Sequence, residues 1–390
     1  MKIQVTKQAA AKFLSGYPLV QEEDIQKLPA DFPKDWVEFA DSSGRFIAYG
    51  YLAKQNKGIG WLLSWKEAIT AAFFEGIFQE AKEARQSFSY DDNTSAYRLI
   101  NGEGDGLGGL TVDRYNEFAV FSWYNETIYA YREIIVDSFR EVFGEIDGAY
   151  EKIRFSGKGL PESQHLFGKE AKEPLLVTEN GVTYATYLNE GLMTGIFLDQ
   201  KEVRSELING YAVGESVLNM FSYTGAFSVA AAMGGSSETT SVDLAKRSYG
   251  KTTEQFEVNQ LPLESQRIVV MDVFEYFKYA KRKELTYDCI VLDPPSFARN
   301  KKKVFTVAKN YGELIEQSID ILSDKGSIIA STNAANISLG RFKKIVIEAL
   351  EAKNVSYKID KIYQLPADFK VNPQFPEGSY LKVLFLSVEK

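Results

Sequence analysis

The residues best suited to chemistry sit in LDPPSFARNKKKVF, Leu292 to Phe305. There an apolar run, Cys289–Leu292, ends on an acid, two prolines, a serine and a ring, and four cations follow within the five residues Arg299 to Lys303. Pro294 and Pro295 cannot donate ladder hydrogen bonds, so a central strand must leave its sheet at that point. The carboxylate of Asp293 is then presented at the sheet edge, and Phe297 can offer a ring face to a flat base. Asp293, Pro294, Pro295 and Phe297 are therefore candidate catalytic residues. Arg299, Lys301, Lys302 and Lys303, placed beside such a pocket, would neutralise the phosphates of a polynucleotide. Without a pocket, the same stretch reads as a Pro-rich turn followed by a solvated charged loop.

Asp293 has company only if the surrounding elements bring it. From Ser216 onward, apolar strands alternate with amphipathic helices: SVLNMF (216–221), ETTSVD (238–243), QRIVVMD (266–272), YDCIVLD (287–293) and GSIIAST (326–332). Such alternation implies a parallel, doubly wound sheet. Two further strands, around 356–365 and 379–388, are separated by a Pro-rich loop without a helix, which predicts an antiparallel pair. Five parallel strands plus a terminal antiparallel hairpin is the Rossmann-like class I methyltransferase arrangement, not the six-parallel dehydrogenase one.

In a doubly wound sheet, ligands bind beyond the carboxyl ends of the strands. The first strand runs into FSYTGAFSVAAAMGG, where Gly225 stands at the entry to the next helix and allows close approach to the backbone. That helix start offers free N–H groups and a positive dipole end. A full GxGxxG is absent, which disfavours a pyrophosphate cofactor and suits S-adenosyl-L-methionine, which has no phosphate. Asp243 ends the second strand, 22 residues beyond Phe221, in the place for a carboxylate that accepts from ribose hydroxyls. Asp272 ends the third strand, where it can accept from an adenine amino group while Val273 packs on the ring. The candidate cofactor-binding set from this domain is Asn219, Phe221, Ser222, Tyr223, Thr224, Gly225, Asp243, Leu244, Asp272, Val273 and Asp293. Each acid taken singly could equally be a helix N-cap.

The bulk numbers set the frame. A chain of 390 residues is long enough for two or three domains, and 45% hydrophobic with 25% charged residues is an ordinary globular composition. No stretch approaches the roughly 18 apolar residues of a membrane span. The first residues carry cations but no apolar leader segment, so a cytoplasmic protein without membrane attachment is expected. One cysteine and one histidine leave no donor set for a zinc site, and no metal is expected. A net charge of −8 argues against generic nucleic-acid binding but allows a local basic surface.

Residues 1–70 alternate in short stretches, with RFIAYGYLA and GIGWLLS flanking a turn, and read as a small β-rich domain. A helical pattern over Trp65–Phe88 opens a central α+β domain ending near residue 190. The remainder, 191–390, is the α/β domain. Inside the central domain, a loop with five glycines lies between Gly102 and Gly109. No Gly-Lys-Ser/Thr follows it, so it is expected to be a turn between strands and not a phosphate cradle.

At this point the chain resembles a known family, the bacterial class I methyltransferases of 23S ribosomal RNA, with a PUA-like N-terminal domain and a central α/β domain. The resemblance is carried by RLINGEGDGLGGLTVDRY (98–115), GLMTGIFLDQKEVR (191–204), VLNMFSYTGAFSVAAAMGG (217–235) and VLDPPSFARNKK (291–302). It implies an enzyme that uses S-adenosyl-L-methionine, releases S-adenosyl-L-homocysteine and acts on large-subunit rRNA or a ribosomal precursor. It also implies that Phe197, Asp199, Gln200 and Lys201 help to wall the cofactor pocket and that the PUA-like domain contacts RNA; the oligomeric state is open, with a homodimer one possibility.

One departure matters. The cytosine carbon-5 enzymes of this family carry a nucleophilic cysteine just after the fifth strand, and here ASTNAANIS (330–338) places Asn333 there. Cys289 lies four residues before Asp293, about 13 Å back from the sheet edge at roughly 3.3 Å per residue, and should be buried and inert. A base nitrogen brings its own lone pair, so alignment can replace covalent activation. Related rRNA guanine nitrogen-7 methyltransferases also combine a DPP-x-F motif with an asparagine after strand five. Asn333 is therefore the fifth candidate catalytic residue, with the target atom open. The alternatives are a small-molecule or protein methyltransferase on the same fold, or an inactive RNA-binding assembly factor.

Overall fold

The computed structural model describes every residue except Lys158 and 300–303, and every side chain except those and 297–299 and Val304. The chain separates into two compact units: residues 1–177, 186–194 and 367–378 form one, and 178–185, 195–366 and 379–390 the other.

The first unit holds two five-stranded sheets. One runs in the order Lys2–Gln4, Val37–Ala40, Phe46–Leu52, Gly60–Ser64, Leu19–Val20. The expected pairing of RFIAYGYLA with GIGWLLS is its antiparallel centre, with Tyr51 opposite Trp61. The other sheet orders Ser163–Gly168, Gly148–Ile153, Phe118–Trp123, Leu110–Tyr115, Ala96–Asn101. Phe118–Trp123 and Gly148–Ile153 are parallel, so they need a crossover, and the helix Arg132–Val142 supplies it. The helical pattern from Trp65 starts late, at Ala71: residues 65–70 form bends and irregular backbone, and Thr70 is still extended as the N-cap.

The five-glycine loop is a turn between strands, and packing explains its composition. A Cβ on Gly104 would lie 1.7 Å from the Lys370 carbonyl oxygen, one on Gly108 2.4 Å from the Trp61 indole, and one on Gly109 2.1 Å from the Tyr51 hydroxyl. Glycine here removes atoms so that three segments can meet. Behind the loop, Arg85 and Asp105 form a buried two-point ion pair at 2.7 and 2.6 Å, and the same guanidinium donates to the Asp368 carbonyl. Residues 367–378, which sequence position assigns to the C-terminal domain, thus pack in the first unit through Asp368 and the buried rings of Phe369 and Phe375.

The second unit is built on a seven-stranded sheet, numbered here β1 (Ser216–Met220), β2 (Glu238–Asp243), β3 (Gln266–Val270), β4 (Tyr287–Leu292), β5 (Leu322–Thr332), β6 (Ser356–Tyr363) and β7 (Lys382–Glu389). Its order is β3-β2-β1-β4-β5-β7-β6, with β1 to β5 mutually parallel and β7 antiparallel to both neighbours. The five parallel strands and terminal antiparallel pair are as the sequence predicts. β5 begins four residues earlier than its apolar run, where Leu322 pairs with Tyr287. The order reverses between β1 and β4, whose ends Met220 and Leu292 lie opposite each other, so the crevice for a ligand opens beyond those two residues.

Asp105→Ala would leave the Arg85 guanidinium buried without its counter-charge, a loss on the order of 3–5 kcal/mol. All four tryptophans, Trp36, Trp61, Trp65 and Trp123, lie in the first unit. Urea unfolding followed by tryptophan fluorescence should therefore show a clearly lower midpoint for this variant. An unchanged midpoint would mean that the pair does not hold the glycine loop.

Candidate active site

Beyond the ends of β1 to β5 lies a cavity of about 390 Å³, within the range typical of small-molecule sites. Its wall includes Phe197, Asp199 and Gln200 from the segment before the sheet, Phe221 to Thr224 after β1, and Asp243 and Leu244 after β2. Asp272 and Val273 follow β3, Asp293 to Pro295 follow β4, and Asn333 follows β5. The three strand-end acids thus do converge on one space. The turn after β1 is held in an unusual backbone: Phe221, Tyr223 and Gly225 all have positive φ, at 59°, 52° and 78°. Two bulky rings in the left-handed region store strain that the surroundings must over-determine. Asp243 supplies part of that restraint, since its carboxylate accepts the N–H of Tyr223 at 2.9 Å and of Ala245 at 2.8 Å. Gly225 permits the turn to pack against the helix Ser248–Val258, because a Cβ there would lie 2.5 Å from the Thr252 methyl. Asp272 caps the helix Val273–Arg282 by accepting from Phe274 and Glu275. Both acids therefore carry the N-cap or turn role as well as facing the cavity.

Asp293 is a strongly perturbed group in the wall. Burial pushes its carboxyl up to about 6, and the Asp199 carboxylate adds to the rise. Hydrogen bonds from Ser331 and Gln200, with the charge of Arg204, pull it back. Gln200 is 3% exposed, and its Nε2 donates both to Asp293 Oδ1 at 3.0 Å and to Ser331 Oγ at 2.8 Å. Among the described residues its Oε1 is buried without a hydrogen-bond partner, an acceptor left open to a ligand donor. The whole 195–200 segment is fastened down. Thr224 donates to the Gly195 carbonyl at 2.7 Å, Tyr380 to Asp199 Oδ2 at 2.9 Å, and Arg204 to the Phe197 carbonyl at 2.7 Å. Arg204 is itself fixed by a buried two-point pair with Glu179.

Three expected cofactor residues stand elsewhere. Lys201 is buried in the helix Lys201–Ile208 and does not line the cavity. Asn219 sits one pleat back in β1, where its Nδ2 donates to Ser228 Oγ and ties the strand to its helix. Gly225 acts through backbone conformation and is not a wall residue. The Phe297 ring, the Arg299 side chain and Lys301 to Lys303 lie outside the described residues; of this region the structure gives the short antiparallel pairing of Phe297–Arg299 with Val304–Thr306. Sequence reading did not single out Ile196, Arg204, Ala226, Phe227, Phe274 or Phe305, which also line the cavity. Phe274 was adjacent to the MDV signal, but Phe305 had none, because only the return of the chain after the basic run brings it against Phe221 and Phe274. Cys289 is fully buried in β4, and burial pushes its thiol up to about 12.

Residues 158–378 match the family described as S-adenosylmethionine-dependent methyltransferase, and residues 3–65 match a PUA-like domain. "Putative ribosomal RNA large subunit methyltransferase YwbD" of Bacillus subtilis (strain 168) is 45% identical over 99% of both chains. Ribosomal RNA large subunit methyltransferase I of Yersinia pseudotuberculosis serotype O:1b (strain IP 31758) is 30% identical over 95% of this chain and 94% of its own. Among solved structures, SMU.776, "a putative methyltransferase complexed with SAH", superposes with TM-score 0.94 at 49% identity, covering 99% of this chain and 100% of that one.

Because the Asp293 carboxyl is raised, the folded chain holds this proton to higher pH than the unfolded chain does. Stability from the neutral form is present below 3.8 and is lost as pH rises through about 6. Asp293→Asn cannot ionise. Melting temperatures across that window should show the wild type losing ground to the variant as pH increases, and parallel curves would contradict the raised carboxyl.

Proposed function

Because the chain belongs to the S-adenosylmethionine-dependent methyltransferase family, with a PUA-like domain at its N-terminus, we propose that it methylates a ring nitrogen or exocyclic amine of a base in large-subunit ribosomal RNA. The observation that carries the choice of atom is the cysteine. The sequence has one thiol, Cys289, and it is buried in β4 with its ionisation suppressed. Attack on carbon-6 of a pyrimidine needs a thiolate in the cavity, and none can be supplied. A base nitrogen needs alignment of its lone pair, which a rigid wall provides.

The cavity suits the methyl donor. The acids after β2 and β3 stand where ribose hydroxyls and an adenine amino group would donate, Val273, Phe274 and Phe305 offer apolar cover for a ring, and the orphaned Gln200 Oε1 awaits a donor. When bound, the donor supplies a methyl group on a sulfonium. The residues of this chain do the rest. Asp243 and Asp272 fix the nucleoside end, Asp293 held by Gln200 accepts a hydrogen bond from the base, and Asn333, in the same wall, orients the base edge. Pro294 and Pro295 keep that carboxylate clear of the sheet. Phe297 and the cations Arg299, Lys301, Lys302 and Lys303 complete the reading as a stacking ring and phosphate contacts. Residues 1–70 serve as the RNA-contact domain, 71–190 as the central domain and 191–390 as the transfer domain. Ribosomal RNA as substrate puts the reaction in the cytoplasm. The rRNA names of the full-length relatives support the substrate class.

Transfer of labelled methyl groups to unmodified ribosomal RNA tests the reading, and mass mapping of the product identifies nucleotide and atom. Incorporation at a base nitrogen is expected. A carbon-5 product would overturn the choice of atom, and RNA binding without incorporation would indicate an inactive assembly factor. Asp293→Ala should lower the transfer rate at least about 100-fold while cofactor affinity stays within a few-fold. Cys289→Ala should retain full activity, whereas a folded but inactive Cys289→Ala protein would restore the thiolate route.

A further inference from the structure

Lys382 opens β7, directly opposite Thr332, the last residue of β5. It is 4% exposed, and its ammonium donates to the carbonyls of Tyr380 at 2.9 Å and Ala334 at 3.1 Å. No carboxylate among the described residues pairs with it, and burial lowers its pKa. A buried cation compensated only by carbonyl dipoles is costly to the fold. Its two acceptors explain what it does there. Ala334 follows Asn333, and its carbonyl also accepts the Ile337 N–H, so the ammonium holds the start of the turn that directly follows Asn333, a residue of the cavity wall. Tyr380 is the residue whose hydroxyl holds Asp199 in the same wall.

We propose that Lys382 is a positioning residue for methyl transfer: one ammonium beneath the end of the sheet ties the Asn333 turn to the Tyr380 segment. The proposal rests on the reading of Asn333 as a residue that orients the base. Lys382 touches neither ligand, so its effect passes through the placement of Asn333 and Asp199. A side chain kept only for stability would lower both the melting temperature and the rate when removed. A positioning residue that is itself a burden on the fold separates the two.

Lys382→Met keeps the length of the side chain and removes the charge and both donors. The expected result with the full-length chain is a melting temperature equal to or above that of the wild type, with a single-turnover transfer rate at saturating S-adenosylmethionine that falls at least about tenfold. Lys382→Gln, which keeps an N–H donor without the charge, should fall between, and it decides the matter by the same readouts if Lys382→Met does not fold. A wild-type rate in either folded variant overturns the proposal, as does a rate loss matched by a lower melting temperature. Asn333→Ala is the separate control. If it transfers at the wild-type rate, the base-orienting reading of Asn333 fails, and a slow Lys382→Met then points to the Asp199 side of the clamp.

Discussion

One side-chain amide joins the pieces on which the cavity depends. Gln200 comes from the segment preceding the sheet, Asp293 from the end of β4 and Ser331 from the penultimate residue of β5, and the Nε2 of Gln200 reaches both. A carboxylate that accepts an amide proton in a largely dry site is restrained in position and charge at once, because low surrounding polarity strengthens the bond and raises the cost of losing it. Tyr311 supports the same point from below by donating to the Ser331 carbonyl at 2.7 Å. The ends of two central strands and the segment preceding the sheet are thus held together by hydrogen bonds of one amide.

The polar groups of the cavity do two tasks. Asp243 holds the strained turn after β1, and Asp272 starts a helix, yet both remain in the cavity wall. The rigidity that fixes those carboxylates is therefore the rigidity of the backbone they cap. Such preorganisation suits a reaction whose catalysis is mostly alignment, since the groups need not be ordered when the ligand arrives. The left-handed conformations of Phe221 and Tyr223 belong to the same economy of position: the turn spends conformational energy to aim successive residues at one space.

In the first unit, the same logic appears as removal of atoms. Gly104, Gly108 and Gly109 exist as glycines because Lys370, Trp61 and Tyr51 come closer than any Cβ would allow, while the buried pair of Arg85 and Asp105 fixes the loop that carries them. A motif that superficially suggests a phosphate cradle is a packing device.

The sequence by itself determined the strands that form the second unit, the parallel order implied by their connections, and the acids at the ends of β2, β3 and β4. Those features are legible because apolar periodicity, helix-breaking residues and strand-terminating prolines act over a few neighbours. It also excluded a thiolate at the cavity, since one cysteine four residues inside a strand has nowhere to go. Only the tertiary structure decided which residues face the space. Lys201 and Asn219 sit within the expected motifs but point into packed interfaces, whereas Arg204, Phe274 and Phe305 are delivered to the wall by helix docking and chain return. The excursion of 367–378 into the first unit, the Gln200 oxygen left without a partner among the described residues and the buried ammonium of Lys382 on two carbonyls were likewise invisible in one dimension. Burial and partnership are set by atoms far apart in the chain, so local pattern names the candidates and the packed fold selects among them.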